Sequence, residues 1–373
     1  MPMHATGHEV ATNEPGSNAA SGVATTVRLG VTKNIHSVRG LACLMIVAFH
    51  VVGDDAGEGL HLPDDSPWHY AMKSLVFLRL PLFTVISGYF YGGHRVIGVE
   101  FLRFWRKKAS RIALPFACMT IIVWLLRRHI YAEPKSLLDA FAYGYEQFWF
   151  LEALLVIFAA MSVWDALARP DSGALVLAMV AAAMVAQSFD AIPQLFSLSD
   201  AIRLAPYFLF GMLLRERGYW LRDPRIGLYA AGIVAIVLIS QQFAMLGLAN
   251  DINRKQMPAV LAGMAGAVFL FQRLPRITAL ETIGGYSYTI FLWHVVIAAA
   301  ARLTLVGLGM TSTPLLFVLI FAAGVSGPML LLHLLRWTPW LSMALTGERG
   351  PPAASRLFGR ASSGVLEPAA PQL

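Results

Sequence analysis

Apolar residues fall in ten blocks, about 38–53, 72–92, 110–129, 147–167, 173–189, 201–216, 227–248, 257–272, 283–306 and 314–336, parted by short polar or Pro/Gly-rich stretches. Most approach the roughly 17–25 residues that a helix needs to cross a hydrocarbon core. A backbone in lipid must pair its own amides, which leaves helices or closed barrels. The blocks show none of the alternating ten-residue pattern of barrel strands. The pattern therefore predicts an all-α, polytopic transmembrane protein with about ten spanning helices. Residues 1–33 are polar, rich in Gly, Ala, Ser and Thr, and carry no apolar core of a signal peptide; they read as a disordered cytoplasmic tail. Residues 34–340 form the membrane domain. Residues 341–373, rich in Pro, Ala, Gly and Ser, read as a second disordered tail.

Composition sharpens this picture. Of 373 residues, 57% are hydrophobic and 14% charged, against about 25% charged in soluble domains; mean hydropathy is +0.60. The net charge of +7 points to cytoplasmic loops and anionic lipid rather than to nucleic acid. Arg95, Arg103, Arg106, Lys107, Lys108 and Arg111 cluster in the loop 93–111, and Arg215, Arg217, Arg222 and Arg225 in the loop 215–226. The loop 53–71 carries Asp54, Asp55, Glu58, Asp64 and Asp65 and no Lys or Arg. This asymmetry predicts both termini inside, in a multi-pass protein of the cytoplasmic (inner) membrane. Trp220, Trp337 and Trp340 stand at block ends, as interfacial aromatics do. Cys43 and Cys118 both lie within apolar blocks, so neither a disulfide framework nor a CxxC metal site is available.

Ionisable residues inside spanning helices are costly and mark function by default. Arg39 and His50 are eleven residues apart, about three turns and about 16 Å along one helix face. Arg79 lies about seven residues into the second block, Glu152 about five into the fourth, and His294 about eleven into the ninth, all at a depth near that of His50. A neutral histidine can take a proton from a hydroxyl, and arginine can bind phosphate or stabilise an oxyanion. Glu152 can orient an imidazole or pair with Arg79. Ser87, in LFTVISGYF, can line a path or fix a helix contact. Each has a plainer reading: Arg39 as a topology anchor, His50 as a buried histidine on a carbonyl, Arg79 and Glu152 as a structural ion pair, Ser87-Gly88 as small-residue packing, and the basic run as a topology signal.

Taken in order, these residues resemble the acyltransferase-3 family. The Arg, ten residues, then His of that family's first helix fits Arg39 to His50 in SVRGLACLMIVAFH. Pro81-Leu82-Phe83 through Ser87-Gly88-Tyr89 is similar to its second helix. Arg111-Ile112-Ala113-Leu114-Pro115, Trp149-Phe150-Leu151 and Tyr286-Ser287 through Phe291-Leu292-Trp293-His294 match further segments in the expected sequence order. Many members carry a longer acidic segment at the fourth helix, whereas here Glu152 directly follows Trp-Phe-Leu.

The resemblance implies transfer of an acyl group from acetyl-CoA, or another acyl-CoA, to a hydroxyl of a cell-surface or lipid-linked glycan. No permanently bound cofactor is expected. Arg39, His50, Arg79, Glu152 and His294 form the implied catalytic set. His50 either activates the hydroxyl or briefly carries the acyl group, and Arg79 stabilises the oxyanion. Ser87, Arg103, Arg106, Lys107, Lys108, Arg111 and Trp149 form the implied substrate-binding set, the basic ones meeting the donor's phosphates. A homo-oligomer is compatible with this reading. The rival is a secondary transporter or glycolipid flippase, which usually shows inverted repeats and matched broken helices; neither is evident in this sequence.

Overall fold

Among the described residues, the apolar blocks close most of their backbone hydrogen bonds within helices, as a chain without water around it must. The computed structural model describes residues 17–93, 96, 98–131, 135–168, 173–186, 192–250 and 252–350. In chain order the helices are α1 (Ser17–Val52), α2 (Pro67–Ser74), α3 (Arg79–Tyr91), α4 (Val99–Lys108), α5 (Leu114–Tyr131), α6 (Leu137–Ala142), α7 (Trp149–Ala168), α8 (Gly173–Ala186), α9 (Leu198–Glu216), α10 (Pro224–Met245), α11 (Met257–Arg273), α12 (Thr278–Gly307), α13 (Thr313–Leu334) and α14 (Pro339–Thr346). Among the described residues there is no strand. Eight helical stretches are long and apolar enough to cross a membrane, and two shorter apolar helices, Val176–Ala186 and Met257–Arg273, accompany them. The protein is an all-α, multi-pass membrane protein. Trp337 and Trp340 are exposed at the end of the last long helix, as predicted.

Three expectations change. α1 begins at Ser17, so helix reaches into the stretch read as an N-terminal tail; residues 1–16 lie outside the described residues. The basic loop 93–111 is helical from Val99: α4 runs through a π-helical turn, Ala109–Ala113, into α5. Its apolar side chains explain this, since Phe101, Phe104 and Trp105 pack on the core while Arg103 faces out. Arg95 lies outside the described residues. Order also continues past Leu341: α14 buries Ser342 and Thr346 completely.

The core of the site is a seam between α1 and α12. Gly40 and Gly284 allow it, because a methyl on Gly40 would overlap the Leu280 carbonyl and one on Gly284 would overlap that of His36. Ile277 N–H donates to the Ser37 hydroxyl at 3.2 Å, Arg39 meets Ser287, and His50 meets His294. The pairs advance together along both helices, so α1 and α12 run in the same sense. The end nearer Arg39 is called the basic end below, and the end leading into the Asp54–Asp65 loop the acidic end.

Candidate active site

At the basic end, Arg39 is 5% exposed, and its Nε and one terminal nitrogen donate to the Ser287 hydroxyl at 2.9 and 2.6 Å. The chain's own C-terminal segment closes over this point. Trp293 Nε1 donates to the Leu345 carbonyl at 2.9 Å, and the Ser342 hydroxyl donates to the Glu348 carbonyl at 2.6 Å. The Glu348 carboxylate lies within electrostatic reach of Arg39 and Arg111, and burial pushes that carboxyl up to about 7 against their pull. Between Arg39 and the histidines, Cys43, Ile46, Val47 and Ile290 are at most 4% exposed, so side chains fill that stretch of the seam.

Toward the acidic end, the His50 and His294 rings sit 5.1 Å apart between centroids. His294 is fully buried. Its Nδ1 lies 2.8 Å from the Ile290 carbonyl and 2.9 Å from that of Phe291. Carbonyls only accept, so Nδ1 carries the proton and Nε2 carries the lone pair. That Nε2 is buried and has no hydrogen-bond partner, an exception among buried polar atoms. Arg79 opens α3 and is 4% exposed. Its guanidinium carbon stands 3.4 Å from the centre of the Phe49 ring, a close cation–π contact. Arg79 and His294 are both within electrostatic reach of His50. Two imidazoles and a buried cation from three helices thus meet at one depth.

A family model described as an acyltransferase domain matches residues 32–333. The chain belongs to the acyltransferase-3 family. No curated protein and no solved structure matches it, so the family model alone carries the assignment. This acyltransferase-3 chain is therefore a membrane acyltransferase.

The other anticipated residues of this acyltransferase-3 protein lie elsewhere. Glu152 neither pairs with Arg79 nor touches an imidazole: its carboxylate accepts from the Ser197 hydroxyl at 2.6 Å and from the Gly144 N–H. Counting residues along the helix put it at the depth of His50, but α7 turns that carboxylate toward the start of α9. Trp149 carries the Arg203 guanidinium carbon 5.1 Å from its ring centre, and Arg203 pairs with Asp200 at 2.6 Å. Ser87 donates to the Phe83 carbonyl of its own helix at 2.9 Å. Lys108 is 5% exposed, with its ammonium 3.7 Å from the Phe158 ring centre, so it is turned inward rather than onto a basic surface. Arg103 pairs with Glu100 on the outside, and Arg106 is exposed. Of the basic set, Arg111 shares the Glu348 carboxylate with Arg39.

Sequence reasoning missed three residues here. Ser287 stood within a quoted motif, and a hydroxyl one helix away from a buried Arg was a usable signal. Phe49, next to His50, carried no signal of its own. Glu348 was placed in a tail.

Proposed function

We propose that this acyltransferase takes its acyl group from acyl-CoA, in the simplest case acetyl-CoA, and esterifies a hydroxyl of a cell-surface or lipid-linked glycan. The observation that carries the reading is the bare, buried Nε2 of His294 beside His50 and Arg79. A base for a hydroxyl needs a neutral imidazole with a free lone pair. The two carbonyls on Nδ1 hold His294 in that tautomer. In the reaction, the hydroxyl oxygen bonds to the thioester carbonyl carbon as its proton passes to an imidazole of the His50–His294 pair. Arg79 offsets the oxyanion. The C–S bond then breaks, and the thiolate leaves with the proton that the imidazole holds. The products are the ester and free CoA.

The donor's phosphates would meet Arg39 and Arg111 at the basic end, held in the cytoplasm with both termini. Glu348 lies within electrostatic reach of those two cations, and the filled seam above them must part for the acyl chain to reach the histidines. His50 is half-buried, which suits it to meet the acceptor, with the fully buried His294 behind it. The test is transfer of labelled acetyl from acetyl-CoA to cell-envelope glycan by purified protein in lipid nanodiscs. Arg39→Ala and His50→Ala should each abolish ester formation while protein level and membrane insertion stay unchanged. Normal acetylation by either variant overturns the mechanism. A transporter or flippase would release no CoA at all.

A further inference from the structure

Arg79 is a buried cation at the end of a helix that repels cations. It is the first residue of α3 and is 4% exposed. A helix N-terminus carries partial positive charge, and burial removes the water that would hydrate the guanidinium. Arg254, a second cation, stands within electrostatic reach. A buried arginine ordinarily pairs with a carboxylate. The loop 54–65 carries five of them, all exposed, and none takes that role. Asp54 acts on Arg79 from a distance and stands 4.0 Å from Arg254. Glu58, Asp64 and Asp55 accept the backbone N–H groups of Asp54, Ala56 and Gly57 at 3.5, 2.8 and 2.7 Å. Among the described residues, no carboxylate forms an ion pair with Arg79.

An aromatic face meets it instead. The guanidinium carbon stands 3.4 Å from the centre of the Phe49 ring. An edge-on approach would put a nitrogen ahead of that carbon and keep the carbon farther off, so the flat face of the guanidinium lies on the ring. The same ring meets that of His50, with centroids 5.0 Å apart and planes at 65°. The kind of partner matters for the chemistry. A carboxylate grips a guanidinium by its N–H edge and offsets its charge. An aromatic face holds the cation through its flat side and leaves charge and in-plane donors for a developing oxyanion.

We infer that Phe49 is a positioning residue for acyl transfer: its ring holds the flat face of the Arg79 guanidinium beside His50 and leaves the N–H edge free for the oxyanion. Its part in transfer rests on the reaction proposed above. The contact itself does not.

The two are separated by a series of phenylalanines carrying one, two and three ring fluorines at position 49. Fluorine weakens the negative charge of the ring face stepwise and changes ring size little, so electrostatics is read apart from packing. In the full chain in lipid nanodiscs, kcat is measured for acetyl transfer from acetyl-CoA. Unfolding temperature is measured without substrate, both in the wild-type background and in Arg79→Leu. With each fluorine kcat should fall, to roughly tenfold below wild type with three, the worth of a desolvated cation–π contact. KM for acetyl-CoA should hold. Phe49→Leu, which removes the ring, should lower kcat at least as far. The unfolding temperature should fall along the series when Arg79 is present and stay level in Arg79→Leu. A kcat indifferent to fluorine overturns the positioning role, and so does an unfolding temperature that falls equally in both backgrounds. The expected unfolding behaviour in a wild-type chain that transfers no acyl group leaves the contact standing; it overturns the reaction and the part given to Phe49 in it.

Discussion

The two ends of the α1–α12 seam surround their buried cations differently. At the basic end every charge the site uses is met by the protein itself: Arg39 by Ser287, with Glu348 close by and Arg111 facing the same carboxylate. Toward the acidic end His294 and His69 each give one ring nitrogen to a backbone carbonyl and leave the other bare in the interior. An unmet buried acceptor costs about 1–3 kcal/mol. The Arg39–Ser287 contact holds the helices in register at one end, where the buried His36 Nδ1 and Tyr288 hydroxyl also lack a partner. At the other end the bare His294 nitrogen stands beside a second imidazole and a buried cation, the arrangement that the proposed proton transfer needs.

The largest test of this contrast is at His294. His294→Ala should lower kcat by roughly 10²–10⁴, the usual worth of a positioned base or its immediate support. Apparent affinity for acyl-CoA should stay nearly unchanged, because the proposed site for the donor's phosphates is at the opposite end. A variant that loses donor affinity and keeps kcat would reverse the roles of the two ends.

A smaller effect is expected at Glu348. Burial raises its carboxyl from the ordinary value near 4.5 to about 7. A docked segment that keeps a proton released by the undocked one is most stable at low pH, and its docking weakens as pH rises between these values. Hydrogen exchange in 339–350, corrected for intrinsic rates, should therefore speed up from pH 5 to about 7 and then level off. Glu348→Gln, which cannot ionise, should flatten that profile. A profile of the same slope in the variant would show that this carboxyl does not govern how the basic end closes.

Much of this was legible in the chain, for physical reasons that also set the limit. Block length exposes the eight long apolar helices and the two shorter ones among the described residues, because lipid imposes one rule on every spanning segment. The α1 spacing and depth counting brought Arg39, His50, Arg79 and His294 forward because a helix converts sequence separation into height. Height is only one coordinate, as Glu152 shows: residue counting put it level with His50, but it faces Ser197, which adopts a left-handed backbone (φ +50°) at the start of α9. The basic run 99–108 misled in another way. Its charges read as loop, yet Lys108 lays its ammonium on Phe158 and hides it. Glu348 was invisible because it matters through contacts across the fold, in a segment whose composition looks like ordinary surface.

The smallest expected effect lies at Ser87, and it sharpens the comparison because the same motif contains a residue that should matter. The Ser87 hydroxyl donates to Phe83 on its own helix, a bond that is local and replaceable. Ser87→Ala should change acyl transfer by no more than about twofold and stability by well under about 1 kcal/mol. Its neighbour differs: a methyl on Gly88 would overlap the Phe208 carbonyl where α3 and α9 meet, and overpacking of that kind costs about 1–3 kcal/mol. Gly88→Ala should therefore lower the unfolding temperature and the amount of folded protein without changing kcat per folded molecule. If Ser87→Ala instead abolished transfer in a well-folded protein, the hydroxyl would be part of the chemistry. The bare imidazole nitrogens would then no longer account for the reaction by themselves.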